Sequence, residues 1–280
     1  MNGYVDFHSG VLPRMDAEDL EAEVEKSVEI LKILHKAKIK TVVATPYFNS
    51  VDDNVPSFLA KREEAYKLLS EKIKGLSLPR VILGSEVLFT TSLLDTKGVS
   101  KLCVGDTNYI MLALPYQEYS EIVLETLQKI IISRNLCPII AHIEKYLEFY
   151  TMEQIEKISS LGVIMQLSCD AIINRATRKD ALELLSRNVV QIIGSNDITK
   201  IVGGKNDITT QDSTRTKLEV AMDVLKTDIT ANVSETIAPS PQYADAIRIM
   251  RYHLPLGKYK QIKNNAGMII SNANIKDIMC

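Results

Sequence analysis

Two of the four histidines in this chain of 280 residues stand where short apolar runs end. His8 follows the run at 4–7, His142 follows the run at 138–141, and Glu86 lies just past a third run at 81–83. Two imidazoles and a carboxylate drawn from three strand ends form a ligand set that holds a divalent metal and leaves a position for water. A single histidine at a strand end is more often a satisfied polar residue at the rim of a core; it is the trio in register that points to metal. Asp6 and Asp16 add carboxylates around the same place, and Lys145, three residues after His142, adds a cation suited to an anionic substrate. Ser195, Asn196 and Asp197 end a later run, with Lys200, Lys205 and Arg175 as further sources of positive charge. His35, among lysines, reads as solvated, and His253, before Leu254-Pro255, as structural.

Such residues can meet only if the strands that carry them lie side by side. Short runs rich in Val, Ile and Leu recur at 4–7, 41–44, 81–83, 109–114, 138–141, 162–167 and 189–193. Strands buried on both faces have this composition. Between them lie segments of helical period, such as Val24, Val28, Leu31 and Leu34. Asp16 is the expected cap of the first helix. Pro56 marks the start of the second and Gly75 the chain just past its end, and Thr151-Met152-Glu153-Gln154 reads as a capping box. About seven βα units predict an α/β fold, a distorted seven-stranded (β/α)7 TIM-like barrel formed by residues 1–280 as one domain. An open doubly wound sheet is the alternative that periodicity leaves standing. In a barrel the chemistry sits at the C-terminal strand ends, where His8, Glu86 and His142 fall. The segment 200–212 is the most loop-like and is expected to cover the mouth.

Composition narrows the partners. A net charge of −2 argues against nucleic acid or an anionic membrane surface. The four cysteines show no paired spacing, the first residues lack the pattern of a signal peptide, and no run is long enough for a membrane span, so the cytoplasm is the expected compartment. A homo-oligomer is compatible with these features. Cys169 and Arg175 fit a bare Cys-x5-Arg pattern, but the loop between them has no glycine to cradle a phosphate, and Asp170 beside the thiol opposes its ionisation.

The run Asp6-Phe7-His8-Ser9-Gly10-Val11-Leu12-Pro13, followed by Asp16, resembles the opening motif of the PHP superfamily. Further blocks follow in order: Ala44-Thr45-Pro46, Gly84-Ser85-Glu86-Val87, Ile140-Ala141-His142-Ile143-Glu144-Lys145-Tyr146, Gln166-Leu167-Ser168 and Ile193-Gly194-Ser195. Together they resemble the PHP-type bacterial tyrosine phosphatases of capsule and exopolysaccharide synthesis, the CpsB/CapC type, over nearly the whole chain. The resemblance implies a PHP barrel and hydrolysis of phosphotyrosine by a cluster of divalent ions, often manganese. It also implies, as substrate, the tail of a tyrosine kinase that controls polysaccharide export. On the matching positions it implies metal ligands at His8, Asp16, Glu86 and His142, phosphate binding by Lys145 and reaction roles for Asp6, Lys145 and Asn196; Asp197, one residue on from the aspartate position, is a further candidate for the reaction, and Lys205, by its charge, for phosphate binding.

The match is incomplete where ligands are concerned. Gly10, Tyr47, Ala113, Asn196 and Ile198 stand at positions where the family carries His, His, Glu, Asp and His, and Lys145 stands where it carries Arg. Gly, Ala and Ile have no donor atom, and a tyrosine is a poor ligand for a dication near neutral pH. A cluster of dications repels itself without anionic ligands, so the expectation here is at most one or two ions, or none.

Overall fold

The computed structural model describes residues 4–14, 16–195 and 242–271. The apolar runs form strands β1 (Tyr4–Ser9), β2 (Ile39–Ala44), β3 (Tyr47–Phe48), β4 (Arg80–Leu83), β5 (Glu86–Leu88), β6 (Tyr109–Ala113), β7 (Cys137–Ile140), β8 (Ile164–Ser168) and β9 (Ile192–Gly194). They lie in two sheets, ordered β1-β2-β4 and β3-β5-β6-β7-β8-β9, with every pairing parallel. The division falls at Thr45-Pro46 and at Gly84-Ser85, where a residue without an N–H and one without a side chain interrupt their strands. Backbone bonds still cross it: Gly84 N–H donates to Ala44 O at 2.8 Å and Glu86 N–H to Pro46 O at 3.1 Å. The result is a curled half-barrel of parallel strands.

Helices α1 (Leu20–Lys36), α2 (Val55–Lys72), α3 (Glu121–Arg134), α4 (Met152–Ser159), α5 (Cys169–Ile173) and α6 (Arg178–Ser186) alternate with the strands, and α7 (Gln242–His253) and α8 (Leu256–Ile270) follow. Their ends obey the sequence. Asn54 caps α2 through Ser57 N–H with Pro56 in its first turn, and Thr151 and Gln154 close a reciprocal capping box on α4. One cap differs from expectation: Asp19, not Asp16, accepts from Ala22 N–H at 2.9 Å and starts α1. The buried stripe of α1 begins only at Glu23 and Val24, so an extra turn from Asp16 would have nothing to pack against.

Alternation along each strand sorts the core into two layers. Val5, Phe7, Val43, Met111, Ile139 and Ile164 pack together on one side of the strands with Ala266 and Ile269 of α8, while Val42, Ile110, Leu112 and Ile140 join the larger layer shared with the outer helices. β1 carries an irregularity between Asp6 and Ser9, where its pairing with β2 slips. Such a bulge re-aims a side chain at a strand end, and here the residues within it are Phe7 and His8. The tips of β1 and β9 approach each other closely: Ser195 N–H donates to Asp6 Oδ1 at 2.8 Å.

The last expected strand, 189–193, starts later and ends one residue further on, at Ile192–Gly194. The segment 200–212, together with Asn196, Asp197, Ile198 and Lys205, lies outside the described residues. No helix among the described residues is long and apolar enough to cross a membrane.

Candidate metal and anion site

His8, Glu86 and His142 come together although up to 134 residues separate them. His8 lies in the bulge near the C-terminal end of β1, His142 two residues past β7, and Glu86 three residues past β4, at the start of β5 beyond the Gly84-Ser85 break. The buried Arg62 of α2 reaches that break and donates to Gly84 O at 3.0 Å and Ser85 Oγ at 3.2 Å, holding the link that carries Glu86. His142 has a left-handed backbone, φ 54°, uncommon for a residue with a side chain. Its N–H is held by the side-chain oxygen of the fully buried Gln166 at 2.8 Å.

The ring atoms His8 Nε2 and His142 Nε2 lie 2.9 Å apart, and Glu86 approaches them at 3.5 and 3.7 Å. Donor atoms about 2.0 Å from a tetrahedrally coordinated ion stand roughly 3.3 Å from one another. The separation of the two rings is close to that value, Glu86 turns Oε2 toward His8 and Oε1 toward His142, and two nitrogens with one carboxylate suit manganese, iron or zinc. The donor set therefore fits one divalent cation with a coordination position left over. The other imidazole nitrogens are engaged: His8 Nδ1 contacts Thr45 Oγ1 at 2.5 Å and His142 Nδ1 contacts Ser168 Oγ at 2.7 Å. Ser168 Oγ in turn bonds Glu144, whose second oxygen accepts from Ser168 N–H at 3.2 Å.

Burial governs the electrostatics. It holds His8 well below the usual imidazole range, helped by the neighbouring His142 and Lys145. It raises Glu86, with His142 and Lys145 opposing the rise. Burial also disfavours the Glu144 carboxylate, but bonds from His142 and Ser168 outweigh it and leave that group below the usual range. Lys145 itself is exposed, on the short 3₁₀ turn Ile143–Glu148, close enough to act on both His8 and Glu86. Exposed Tyr47 and Tyr116 stand at the same end of the sheet. Tyr47 is in register with Glu86 across β3 and β5, and Tyr116 stacks on buried Tyr146 with centroids 5.4 Å apart.

Other residues singled out by spacing fall elsewhere. Asp16 is exposed on its loop and is not part of the group whose donor atoms lie within 4.8 Å of one another. Asp6 is fully buried beneath the site, both its oxygens bonded by Ser195. His253 is exposed rather than packed. Cys169 is fully buried, with its thiol pushed well above the usual range by burial and by Asp6, Asp170 and Glu144, while Arg175 is exposed. That environment denies the sulfur the ionised form a cysteine phosphatase needs. Sequence reasoning passed over Gln166 and Arg62. Their signals were a long polar residue inside the fully buried run Ile164–Ser168 and an arginine on the inward stripe of α2.

Asp6 yields a pH prediction. Burial raises its carboxyl from 3.8 to about 6, against the bonds from Ser195 and His8. A carboxyl that holds its proton more tightly when folded favours the fold at low pH, and that advantage disappears as pH rises from about 4 through 6. Asp6→Asn removes the titration. Urea unfolding of the variant and the parent should therefore diverge by about 3 kcal/mol between pH 4 and pH 7, in favour of the variant at pH 7. Parallel pH profiles would refute a buried titrating Asp6.

Comparison with known proteins supplies a context for this geometry. The family described as "Capsular polysaccharide synthesis, CpsB/CapC" matches residues 4–200. Tyrosine-protein phosphatase CpsB of Streptococcus agalactiae serotype III (strain NEM316) is 19% identical over 208 residues, spanning 69% of this chain and 82% of that protein. Among solved structures, the work describing YwqE from Bacillus subtilis and CpsB from Streptococcus pneumoniae as metal-dependent tyrosine phosphatases contains a chain that superposes with a TM-score of 0.64 at 18% identity. The match covers 96% of this chain and 95% of that one. At that identity the superposition shows the fold.

Proposed function

The chain belongs to the CpsB/CapC family of capsular polysaccharide synthesis, and from that membership we propose that it is a reduced, phosphotyrosine-binding relative of the metal-dependent phosphatases. One divalent cation, manganese by family resemblance, is held by His8, Glu86 and His142, and turnover is lost or strongly diminished. The observation that carries this reading is the donor set itself: three groups converge, and the neighbouring positions Gly10, Tyr47 and Ala113 offer no further imidazole or carboxylate. A bound cation would supply Lewis-acid polarisation of a phosphate oxygen. Lys145 would neutralise the phosphate at the open edge of the site, and the exposed rings of Tyr47 and Tyr116 would offer faces for the aryl group.

On the fold, we read β2 with β3 and β4 with β5 as two interrupted strands. β1, these two, and β6 to β9 then make the seven strands of a TIM-like barrel that closes where Asp6 meets Ser195. Residues 1–280 are read as one domain with the cytoplasm as its compartment, and Asp16, Asn196, Asp197 and Lys205 keep the roles expected of them from the sequence. The partner by family resemblance is the phosphorylated tail of a tyrosine kinase of polysaccharide export, bound rather than processed.

A second reading, a slow one-cation phosphatase, is favoured by the coordination position that the three donors leave open for water. The two separate in one experiment: a phosphotyrosine peptide is titrated with and without manganese, and phosphate release is measured beside the S. agalactiae phosphatase. One manganese ion per chain, manganese-dependent peptide binding and release at least ~1000-fold slower, about 4 kcal/mol in barrier, are expected. Release at a comparable rate would overturn the reduced reading, and absence of both cation and peptide binding would overturn both.

A further inference from the structure

We propose that Ser168 and Glu144 are positioning residues that fix His142 in the Nδ1–H tautomer, keeping its Nε2 lone pair aimed into the site, while Thr45 lets His8 exchange tautomers. This rests on the cation reading above. The assignment follows from counting protons along one chain of contacts, Glu144–Ser168–His142–His8–Thr45.

The Glu144 carboxylate can only accept, so the single hydroxyl proton of Ser168 goes to it, as does Ser168 N–H to its other oxygen. Having given its proton away, Ser168 Oγ can only accept from His142 Nδ1, 2.7 Å distant, so that nitrogen carries a proton. A neutral His142 then has a bare Nε2. The 2.9 Å contact with His8 Nε2 requires one donor, and it must be His8. Neutral His8 then has a bare Nδ1, which accepts from Thr45 Oγ1 at 2.5 Å.

The direction of the whole chain is thus set by the buried carboxylate at one end. At the other end stands a hydroxyl that can donate or accept with equal ease. Loading a cation requires both Nε2 atoms to be bare. His142 already meets that condition. His8 meets it by releasing its Nε2 proton to water and taking a proton from water at Nδ1, while the Thr45 hydroxyl turns from donor to acceptor. Neither step displaces a heavy atom. Partners of this kind, outside the ligands themselves, set ring orientation and tautomer at metal centres.

Glu144→Gln offers a sharp test because it preserves shape. Ser168 N–H is a fixed donor and claims the amide oxygen, so the amide NH2 faces Ser168 Oγ. The hydroxyl proton then turns to His142 Nδ1 and forces the proton of His142 onto Nε2. The full-length, metal-free protein labelled with ¹⁵N-histidine is read by long-range ¹H–¹⁵N correlation, with His35→Gln and His253→Gln removing the two rings outside the site. The wild type is expected to show His142 protonated at Nδ1 alone and His8 at Nε2 alone. Glu144→Gln is expected to reverse His142 and to weaken zinc binding by about 10–100-fold, while Thr45→Val lowers zinc affinity without changing the His142 tautomer. A wild-type His142 protonated at Nε2 or at both nitrogens, or a Glu144→Gln spectrum identical to wild type, would overturn the proposal. Expected tautomers in a protein that takes up no zinc would leave the positioning chain standing and refute the cation reading instead.

Discussion

Replacing Glu86 with glutamine is expected to weaken manganese binding by at least ~100-fold and, in the same protein without metal, to raise the thermal midpoint. The two effects have one origin. Glu86 is the only anionic donor of the trio, so its charge supplies most of the attraction for a dication. Without the cation that charge is a burden. Burial lifts the carboxyl above its usual range, so ionised Glu86 favours unfolding near neutral pH, only partly offset by His142 and Lys145. Glutamine keeps the shape and removes the charge. Relief on the order of 1 kcal/mol would shift the midpoint by about 2–4 °C for a chain of this size. Calorimetric titration with manganese and scanning calorimetry of the metal-free variant check both halves. A variant that binds manganese like the parent would place the cation elsewhere.

The second large effect is structural. Gly194 ends β9, and a Cβ built there would lie 2.6 Å from the Cβ and 2.9 Å from the backbone nitrogen of His8. Neither of those atoms can rotate aside. Gly194→Ala must therefore push β9 away from the bulge of β1, and overpacking against backbone at this site should destabilise the fold by about 3 kcal/mol or more. The same displacement moves His8, so manganese affinity should fall even in preparations that remain folded. Urea unfolding and cation titration of one sample measure both, and a variant within ~0.5 kcal/mol of the parent would show that the two strand tips are not packed as described.

These effects explain which parts of the architecture could be read from the sequence. Strands such as Tyr109–Ala113 and Cys137–Ile140 announce themselves because burial on both faces demands unbroken apolar runs. The helix caps at Asn54 and Thr151 are local chemistry and legible for that reason. His8, Glu86 and His142 stood out because few residue types can hold a cation and all three fell at strand ends. Their relation to one another was not legible. That His8 and His142 meet at 2.9 Å, that Glu144 reaches Ser168, and that Asp6 is enclosed by Ser195 depend on closing the sheet over separations of 134, 24 and 189 residues. The bulge in β1 depends on the pairing partner, which no single strand encodes. The supporting roles of Arg62 and Gln166 were hidden for the same reason: each acts on a segment distant in the chain.

The register between β3 and β5 has a consequence on another scale. Tyr47 pairs with Glu86 across the two strands, and its phenol is raised by burial and by the Glu86 charge, so the two side chains share one environment. Tyrosine and histidine codons differ by a single base. An imidazole at this position would thus be one transition away in the gene, set on a strand already aligned with the carboxylate it would complement. The glycine at position 10 has no such route, since reaching histidine from any glycine codon takes two substitutions. The ligands that the family resemblance implies are therefore unevenly within reach, and laboratory selection for phosphatase activity should find the change at position 47 before one at position 10.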